Sequence, residues 1–458
     1  MSESTRINAG PWSGAVSDTR ATIKASVMQG VMNARVVVAK NSDLSLERSS
    51  FPASFIWSDP KPKKDYKPKI VTFRLEDLTP DTQYYYALEL DGKLETGDRV
   101  GRFKTFPRTG EKADFRFAFG SCSGNDGFWN FGFPDTEAYL TIAQEKDLLF
   151  FFHLGDFHYG NIDDKEIGKR LDRYDWMLQR PEPGALFRLL PLAYCWDDHD
   201  FLGNDKAGGD EKHRVAATFA RDAYDIYIPH YDFASGADGI YQSFVVGRAL
   251  FILTDTRFKR SSQNGSSAFV KTVLGGEQKK WLKAKLLEGK SFDLTVWANS
   301  IPWIGNPDDD EDYWAGYADE RKELANFIKE NEIRNLCMIS GDAHMLGIDD
   351  GSHSGYSDGG KGGFPVFHAA ALESRPGEKG GPVYCLGTDD GEPGPGIAGK
   401  RQYGLFEVKY ERGSNGKPTG SPQVHWTGRR AKKNSSNIKD VKDIIQYRFP
   451  AERTYSGF

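Results

Sequence analysis

Six runs of apolar residues, each followed by a polar cluster, constrain the fold of this chain more than any other feature of its sequence. The runs are 115–120, 148–155, 190–196, 249–255, 294–298 and 335–341. Segments of helical character lie between them, including 164–179, 212–227, 277–288 and 318–331. Buried strands that alternate with helices indicate an α/β layered domain. Ligands of such folds gather at the carboxyl ends of the strands, which is where the polar clusters lie.

The first 110 residues have a different pattern, with short alternating runs of polar and apolar residues separated by turns. The predicted strands are 20–28, 34–40, 69–75, 83–90 and 100–106. Residues 78–86 (LTPDTQYYY) are a turn that leads into an aromatic strand, and they resemble the corner before the sixth strand of fibronectin type III domains. We therefore predict an N-terminal fibronectin III-like β-sandwich domain over residues 1–110.

The remaining boundaries follow from changes in composition. A linker is expected at 107–112 (PRTGEK), and the α/β domain is expected to cover 113–411. From residue 412 the chain is polar and rich in Gly, Ser and Lys, before a short apolar patch at 438–449. We interpret 412–458 as a C-terminal extension packed on the catalytic domain.

Composition excludes several classes of protein. The net charge is −5 with acidic and basic residues mixed, which argues against a nucleic-acid-coating surface but not against a pocket for a small anion. The four cysteines show no CxxC pairing, so a zinc ribbon, a redox motif and a disulfide framework are not indicated. Neither a signal peptide nor a spanning helix is visible. We expect a cytoplasmic protein as the chain stands, and a periplasmic or secreted one if an export signal was removed.

Five polar clusters follow the apolar runs, and together they indicate metal chemistry. They are Gly120-Ser121-Cys122, Gly155-Asp156-Phe157-His158-Tyr159, Trp196-Asp197-Asp198-His199-Asp200, Asp255-Thr256-Arg257 and Ser340-Gly341-Asp342-Ala343-His344. A single Asp or His at a strand end is usually a cap or a surface residue, and a buried cysteine is usually a small hydrophobe. Carboxylate, imidazole, thiol and phenol at successive strand ends of one sheet do not arise readily by chance.

These side chains are all metal ligands. Phenolate and carboxylate favour a hard trivalent ion such as Fe3+, and thiolate adds a softer donor. A carboxylate between two cations bridges them, and two adjacent cations clamp the attacking and leaving oxygens of a phosphoryl transfer. A histidine beside them can protonate the leaving oxygen or stabilise the developing charge. The residues themselves therefore predict a binuclear hydrolase.

The order of the motifs, GSC, GDxxY, WDDHD, DTR, LGxxQxxWL, DxWxGYxxxR and GDxH, resembles the alkaline phosphatase D (PhoD-like) family of metallophosphoesterases. The match covers roughly residues 115–375. The resemblance implies a layered αββα metallophosphoesterase sandwich and is consistent with an N-terminal β-sandwich. The GDxxY motif is also similar to that of purple acid phosphatases, in which the tyrosinate binds Fe3+.

The resemblance implies a role for each matching position. For an Fe3+ ion it implies Cys122 as the thiolate ligand and Tyr159 as the phenolate ligand, with Asp156 as the bridging carboxylate. For a second ion, Ca2+ or another divalent cation, it implies Asp198, and Asn204 as an additional oxygen ligand.

Four further positions complete the expected site. His199 matches the catalytic histidine. Asp342 and His344 match a late GHxH motif, with Asp in place of the first His, which suits an oxygen-preferring, calcium-like ion. Arg257 either orients a phosphate oxygen or braces a ligand carboxylate.

The chain departs from the family pattern at several positions. Asp200 stands where the family often has Glu. His158 either reaches the substrate or faces solvent, and we expect solvent.

Asp197 is the weakest metal candidate of its cluster, because neighbouring side chains on an extended segment point oppositely. The acidic run 308–312 is expected to be a solvated loop rather than a calcium site. The remaining cysteines are expected in the core; they are Cys195, Cys337 and Cys385.

The leading hypothesis is a metal-dependent phosphoesterase acting on small-molecule phosphomonoesters, phosphodiesters or both. A metal-bound hydroxide or oxide attacks phosphorus, and His199 assists departure of the leaving alkoxide. The alternative is a non-catalytic binding protein, in which the β-sandwich recognises a partner or glycan and the metallo-domain is a relic. A glycosidase with paired carboxylates is a third hypothesis, but it gives no role to Cys122, Tyr159 or Arg257.

Overall fold

A computed structural model of the chain describes residues 6–58, 69–123, 135–234, 236, 238–262, 271–305, 312–377 and 396–452. The N-terminal strands are β1 (Ile7–Gly14), β2 (Ala21–Val27), β3 (Ala34–Ala39), β4 (Ser49–Pro52), β5 (Phe55–Ser58), β6 (Lys69–Leu75), β7 (Gln83–Leu90), β8 (Lys93–Leu94) and β9 (Gly101–Lys104). Their buried residues alternate with more exposed ones in strands such as β7, as expected for the faces of a sandwich.

Strands and helices alternate between residues 115 and 369. The strands are β10 (Phe115–Gly120), β11 (Leu148–His153), β12 (Leu192–Tyr194), β13 (Gln242–Val246), β14 (Ala249–Leu253), β15 (Leu294–Ala298), β16 (Leu336–Ser340), β17 (Met345–Asp349) and β18 (Val366–Ala369). The helices are α1 (Glu137–Ile142), α2 (Ile167–Gln179), α3 (Pro181–Leu189), α4 (Asp198–Phe201), α5 (Arg214–Tyr227), α6 (Gly275–Gly289) and α7 (Ala318–Glu330). The last strands are β19 (Ile397–Ala398), β20 (Gln402–Arg412), β21 (Pro418–Arg430) and β22 (Lys442–Pro450).

Two large sheets form the centre of the molecule. In the described residues, one has ten strands in the order β22-β21-β20-β10-β11-β12-β1-β2-β6-β5, and the other has seven in the order β13-β14-β15-β16-β18-β17-β19. They pack face to face through aromatic side chains: the ring of Phe251 in β14 lies 5.5 Å from that of Phe117 in β10 and 5.7 Å from that of Phe150 in β11. Such close-packed rings bury large apolar areas and align the two sheets.

Helices cover the outer faces of both sheets. Apolar residues of α2, α3 and α5, such as Leu171, Phe187 and Tyr224, cluster with Phe151 of β11. Residues of α6 and α7, such as Leu282 and Leu324, cluster with Trp297 of β15. The order of layers is therefore helix, sheet, sheet, helix, which confirms the αββα expectation.

The N-terminal β-sandwich is also confirmed, and it shares a sheet with the α/β part of the chain. The other sheet of the sandwich has five strands, β3, β4, β7, β8 and β9. Its apolar residues pack in one cluster with those of β2 and β6. Strand β1 pairs in parallel with β12, with Gly14 opposite Leu192. A Cβ atom at Gly14 would lie 2.4 Å from the Leu192 carbonyl oxygen, so only glycine permits this approach. The N-terminal strands are thus joined to the α/β part by continuous strand pairing.

The C-terminal strands belong to the ten-stranded sheet. Strands β20, β21 and β22 pair antiparallel and continue the ten-stranded sheet from β10. The segment after residue 412 therefore extends the sheet and pairs the edge that β20 would otherwise expose. None of the helices in the described part of the chain is both long and apolar enough to cross a bilayer.

Candidate metal centre

The predicted ligands come from both large sheets. Cys122 follows β10, Asp156 follows β11, and Asp198 begins α4 directly after β12. Asp342 and His344 lie between β16 and β17 of the other sheet. The backbone N–H of Asp342 donates to Ser121 Oγ (3.1 Å), which ties the loops of the two sheets together. The centre therefore lies where the carboxyl ends of two sets of parallel strands meet, as the topology of an α/β fold favours.

One group of donors contains Cys122, Asp156 and His344, whose ligand atoms all lie within 4.8 Å of one another. Tyr159 adds a phenol: its hydroxyl donates to Asp156 Oδ2 (2.9 Å) and lies 3.5 Å from His344 Nε2. The hydroxyl of Ser374 donates in turn to the Tyr159 oxygen (3.0 Å). Thiol, carboxylate, imidazole and phenol thus converge on one point, as the sequence predicts.

The orientation of His344 suits a metal ligand. Its Nδ1 lies 2.7 Å from the carbonyl oxygen of Arg375, an acceptor, so Nδ1 carries the proton. The neutral ring therefore presents the lone pair of Nε2 to the group of Cys122 and Asp156. A hydrogen bond to the second ring nitrogen is the usual way in which proteins hold a ligating histidine.

A second group contains Asp156, Asp198 and His199, again with ligand atoms within 4.8 Å of one another. The Asp198 carboxylate accepts from the backbone N–H of His199 and of Asp205, both at 2.8 Å. His199 Nδ1 lies 2.6 Å from Asn161 Oδ1, and its ring stacks on Tyr159 at 4.3 Å. Asp156 belongs to both groups.

The backbone at the centre is held in an unusual conformation. The residues Cys122, Asp156, Tyr159, Asp342 and His344 all have positive φ, with values of 59, 59, 47, 65 and 53°. For a residue other than glycine this costs about 1–2 kcal/mol, and such strain concentrates at functional sites. Hydrogen bonds between loops stabilise it, for example from the N–H of Cys122 to the carbonyl of Gly155 (3.1 Å).

The electrostatics of the centre fit a bound cation. Burial raises the pKa of Asp156 well above its usual value, and so do nearby carboxylates; these belong to Asp198, Asp197, Asp200 and Asp342. Burial and the charge of Asp156 also raise the pKa of Cys122 and of Tyr159. Asp156 Oδ1 is buried and has no hydrogen-bond partner among the described residues. Closely spaced buried anions of these types fit metal ions, which remove the repulsion and the cost of burial.

Arg257 is fully buried, at 0% exposure. Its Nε donates to Asp197 Oδ1 (2.5 Å) and its Nη1 to Asp312 Oδ2 (2.8 Å). Of the two roles that the sequence leaves open, these contacts favour bracing a carboxylate over contact with a substrate. Asp197 also accepts from Ser300 Oγ (3.0 Å), in keeping with its prediction as the weakest metal candidate of its cluster.

The end of the acidic run 308–312 does not fit the expectation of a solvated loop. Residues 308–311 lie outside the described residues, but Asp312 is only 7% exposed and pairs with Arg260 (2.8 Å) as well as Arg257, so it is not part of a solvated loop. Its carboxylate forms a third acidic group with Asp198 and Asp205. Asn204, the predicted additional oxygen ligand, is exposed, and its Nδ2 donates to Asp205 Oδ2 (2.6 Å).

The expectation that His158 faces solvent is wrong. The residue is 2% exposed, and its ring packs edge-on against Tyr174, with centroids 4.8 Å apart. Its Nδ1 accepts from the backbone N–H of Gly160 (3.0 Å). Cys195 and Cys337 are buried as predicted, whereas Cys385 lies outside the described residues.

Several polar residues at the centre are not among the predicted ones. Asn161 contacts His199, Ser374 contacts Tyr159, and Ser300 contacts Asp197. Ser300 has a signal in the sequence, because it follows the apolar run of β15 directly, as the other clusters follow theirs. Asn161 lies two residues beyond the GDxxY motif, and Ser374 lies far from any motif, so their roles depend on the folded chain.

Residues 117–378 match the family described as PhoD-like phosphatase. This chain belongs to the PhoD-like phosphatase family. It is 27% identical over 316 residues to alkaline phosphatase D of Bacillus subtilis (strain 168), a match that covers 59% of this chain and 52% of that protein. It is 28% identical over 241 residues to an uncharacterized protein of Mycobacterium tuberculosis (strain H37Rv), covering 49% of this chain and 40% of that protein. The chain thus spans about half the length of these curated relatives, or less.

Two solved structures have the same overall fold as this PhoD-like chain. The structure of PhoD superposes with a TM-score of 0.72 at 19% identity, over 99% of this chain and 92% of that one. A purple acid phosphatase, PPD1 from yellow lupin (Lupinus luteus) seeds, superposes with a TM-score of 0.61 at 13% identity, over 96% and 74%. Both likenesses concern the fold, and they agree with the layered architecture described above.

Proposed function

We propose that this PhoD-like chain is a metal-dependent phosphoesterase that hydrolyses small-molecule phosphomonoesters, phosphodiesters or both. The observation that carries the proposal is the position of Asp156 in two adjoining donor groups, one with Cys122 and His344 and one with Asp198 and His199. A carboxylate shared in this way is suited to bridge two cations. Membership of a phosphatase family supports the same chemistry.

The two donor groups differ in the ions that they suit. Cys122, Asp156, Tyr159 and His344 combine hard and soft donors around one position, which we assign to Fe3+. Asp198 and Asp342, with Asp156 as the bridge, offer oxygen ligands that suit Ca2+ or another divalent ion. We propose Asn204 as an additional oxygen ligand of this ion. When bound, the two ions would neutralise the phosphate charge and activate a water molecule.

His199 is proposed as the acid that protonates the leaving oxygen. Its Nδ1–H donates to Asn161 Oδ1 (2.6 Å), so Nε2 is the atom that holds and transfers the catalytic proton. Stacking on Tyr159 at 4.3 Å holds the plane of the ring. A ring held at one nitrogen and on one face reaches the reactive geometry with little further ordering.

Arg257 acts on the site indirectly in this proposal. Its guanidinium is held by Asp197 and Asp312, and burial leaves it no route to a substrate in the described structure. We propose that it stabilises Asp197 and thereby the segment that carries Asp198 and His199. Asp197 is the residue that immediately precedes α4.

The alternative of a binding protein with a relic metallo-domain is not favoured. A relic tends to lose donors, whereas thiol, phenol, carboxylates and imidazoles are all present here and converge. The strained backbone at five of these residues is a further cost that a site without function has no reason to keep.

A panel of chromogenic phosphate mono-, di- and triesters, assayed together with metal analysis of the same sample, tests the proposal. We expect bound iron, a second metal and turnover of at least one monoester or diester. Protein that was expressed with both metals supplied, yet holds neither and hydrolyses no ester, would overturn the proposal.

A further inference from the structure

The turn from Asp156 to Tyr159 carries both the shared carboxylate and the phenol, and a carboxylate outside the donor groups holds its backbone. The N–H of Phe157 donates to Asp200 Oδ2 and the N–H of His158 donates to Asp200 Oδ1, both at 2.9 Å. Each oxygen of Asp200 therefore binds one of two successive backbone N–H groups. Successive N–H groups next to a residue with positive φ, here Asp156 at 59°, form a concavity that binds an anion.

Asp200 is itself firmly held. The residue is 4% exposed, and the hydroxyl of Tyr194 at the end of β12 donates to its Oδ2 (2.7 Å). It is also part of the short helix α4, which begins with Asp198 and His199. One buried carboxylate thus connects the turn that carries Asp156 and Tyr159 to the helix that carries two members of the second donor group.

We propose that Asp200 is a positioning residue that sets the distance between the two metal positions. It does so by fixing the turn Asp156–Tyr159 against α4, so that the Asp156 carboxylate lies between both donor groups. This inference rests on the proposed function, because it concerns the same metals. It also gives a role to Asp200, the position at which this chain has Asp where the family often has Glu.

Asp200→Asn is the direct test, because asparagine has almost the same shape. One carboxylate oxygen becomes an NH2 group, which faces an N–H or O–H donor and cannot accept its hydrogen bond. The turn is then held at one N–H at most. Loss of a residue that orients metal ligands typically lowers metal affinity about 10- to 100-fold, and we expect a loss of that size for both metals together.

Asp175→Asn is the matched control. Asp175 is a buried aspartate of α2 that accepts hydrogen bonds from Asn8 Nδ2 (2.7 Å), Ser26 Oγ (3.2 Å) and the hydroxyl of Tyr227. Neither Asp175 nor these partners belong to the two donor groups. Both variants lose hydrogen bonds to a buried carboxylate, so both are expected to melt at a lower temperature than the unmodified protein. Only Asp200→Asn is expected to lose metal more readily.

The experiment measures the metal content of the full chain, expressed with iron and calcium supplied, after equilibration with increasing concentrations of a chelator. The unmodified protein is measured first: if it binds no metal, the proposed function fails. If it binds metal, we expect Asp200→Asn to release both metals at roughly one tenth or less of the chelator concentration that Asp175→Asn needs. Equal resistance to chelator in these two variants would overturn the inference while leaving the proposed function intact.

A second variant covers the case in which Asp200→Asn does not fold. Tyr194→Phe removes the third donor to Asp200 and keeps the ring that packs on Phe157, at a centroid distance of 5.4 Å. We expect a smaller loss of chelator resistance in the same direction, together with a shift of the visible phenolate-to-iron absorption of Tyr159. Resistance and absorption equal to those of the unmodified protein would overturn the inference.

Discussion

Replacing Arg257 with methionine removes the cation that Asp197 and Asp312 share. Asp312 keeps Arg260 at 2.8 Å, so the loss falls on Asp197, which retains only the hydrogen bond from Ser300 Oγ among the contacts described above. Leaving a buried charge without its partner costs about 3–5 kcal/mol. The entropy of unfolding is about 2.1 cal/mol/K per residue, or roughly 1 kcal/mol/K for 458 residues. We therefore expect the melting temperature to fall by roughly 3–5 °C at a pH above about 8, where Asp197 of the unmodified protein is ionised.

The pH dependence identifies the cause of this loss. Burial raises the pKa of Asp197, and Arg257 opposes that rise. Without Arg257 the pKa of Asp197 in the folded protein rises further above its value in the unfolded chain. The folded variant therefore keeps the Asp197 proton up to a higher pH than the unmodified protein does, in which the pKa of Asp197 is about 8. Its deficit in stability relative to the unmodified protein should shrink as the pH falls towards about 8 and stay constant below that pH.

The assay is thermal unfolding of chelator-treated protein, so that release of metal does not contribute to the difference. Arg321→Met is the control, because Arg321 is also buried but donates to the backbone carbonyls of Trp303 and Gly305, both at 2.9 Å. Its deficit should stay constant over the same pH range. An Arg257 variant that melts like the unmodified protein yet loses turnover would refute the bracing role and indicate contact with substrate.

Three other predictions follow from the geometry. Cys122→Ala should lose iron and hydrolytic activity together, as measured by metal analysis and an ester assay, and a variant that keeps both would show that the thiol only packs in the core. His199→Ala should lower kcat by about 10²–10⁴-fold while its metal content is unchanged, since it removes the general acid; full activity would exclude His199 from the mechanism. Gly341→Ala would place a Cβ 2.5 Å from Ser121 Oγ and 2.8 Å from the Leu154 carbonyl oxygen. We therefore expect about 1–3 kcal/mol of destabilisation and weaker metal retention. A melting temperature equal to that of the unmodified protein would contradict the close contact of the two sheets.

The sequence predicts best those strands whose own residues show a clear pattern of polar and apolar side chains. Strands β7 and β10 begin and end at the predicted residues, since the first alternates polar and apolar residues and the second is a continuous apolar run bounded by polar residues. The pattern does not predict β4 and β5, whose residues are exposed or half-buried and which pair at the edges of their sheets. It also does not predict α3, which contains Pro181, Pro183 and Gly184, residues typical of turns.

The candidate site is predictable to the extent that it depends on strand ends. Donors that directly follow apolar runs are brought together because parallel strands end at one edge of a sheet. The burial of His158 and the pairing of Arg257 with Asp312, 55 positions away, depend instead on which loops meet in the folded chain. The same holds for Asn161, which reaches His199 across 38 positions without any motif to mark it.

The most direct measurement of the central claim follows ester hydrolysis and metal content in one sample while the metals are stripped and restored. Two metal ions held around Asp156 predict that turnover falls in step with metal content on chelation, and that it returns when iron and a divalent cation are added back together. Turnover that persists after the metals are removed would contradict the account.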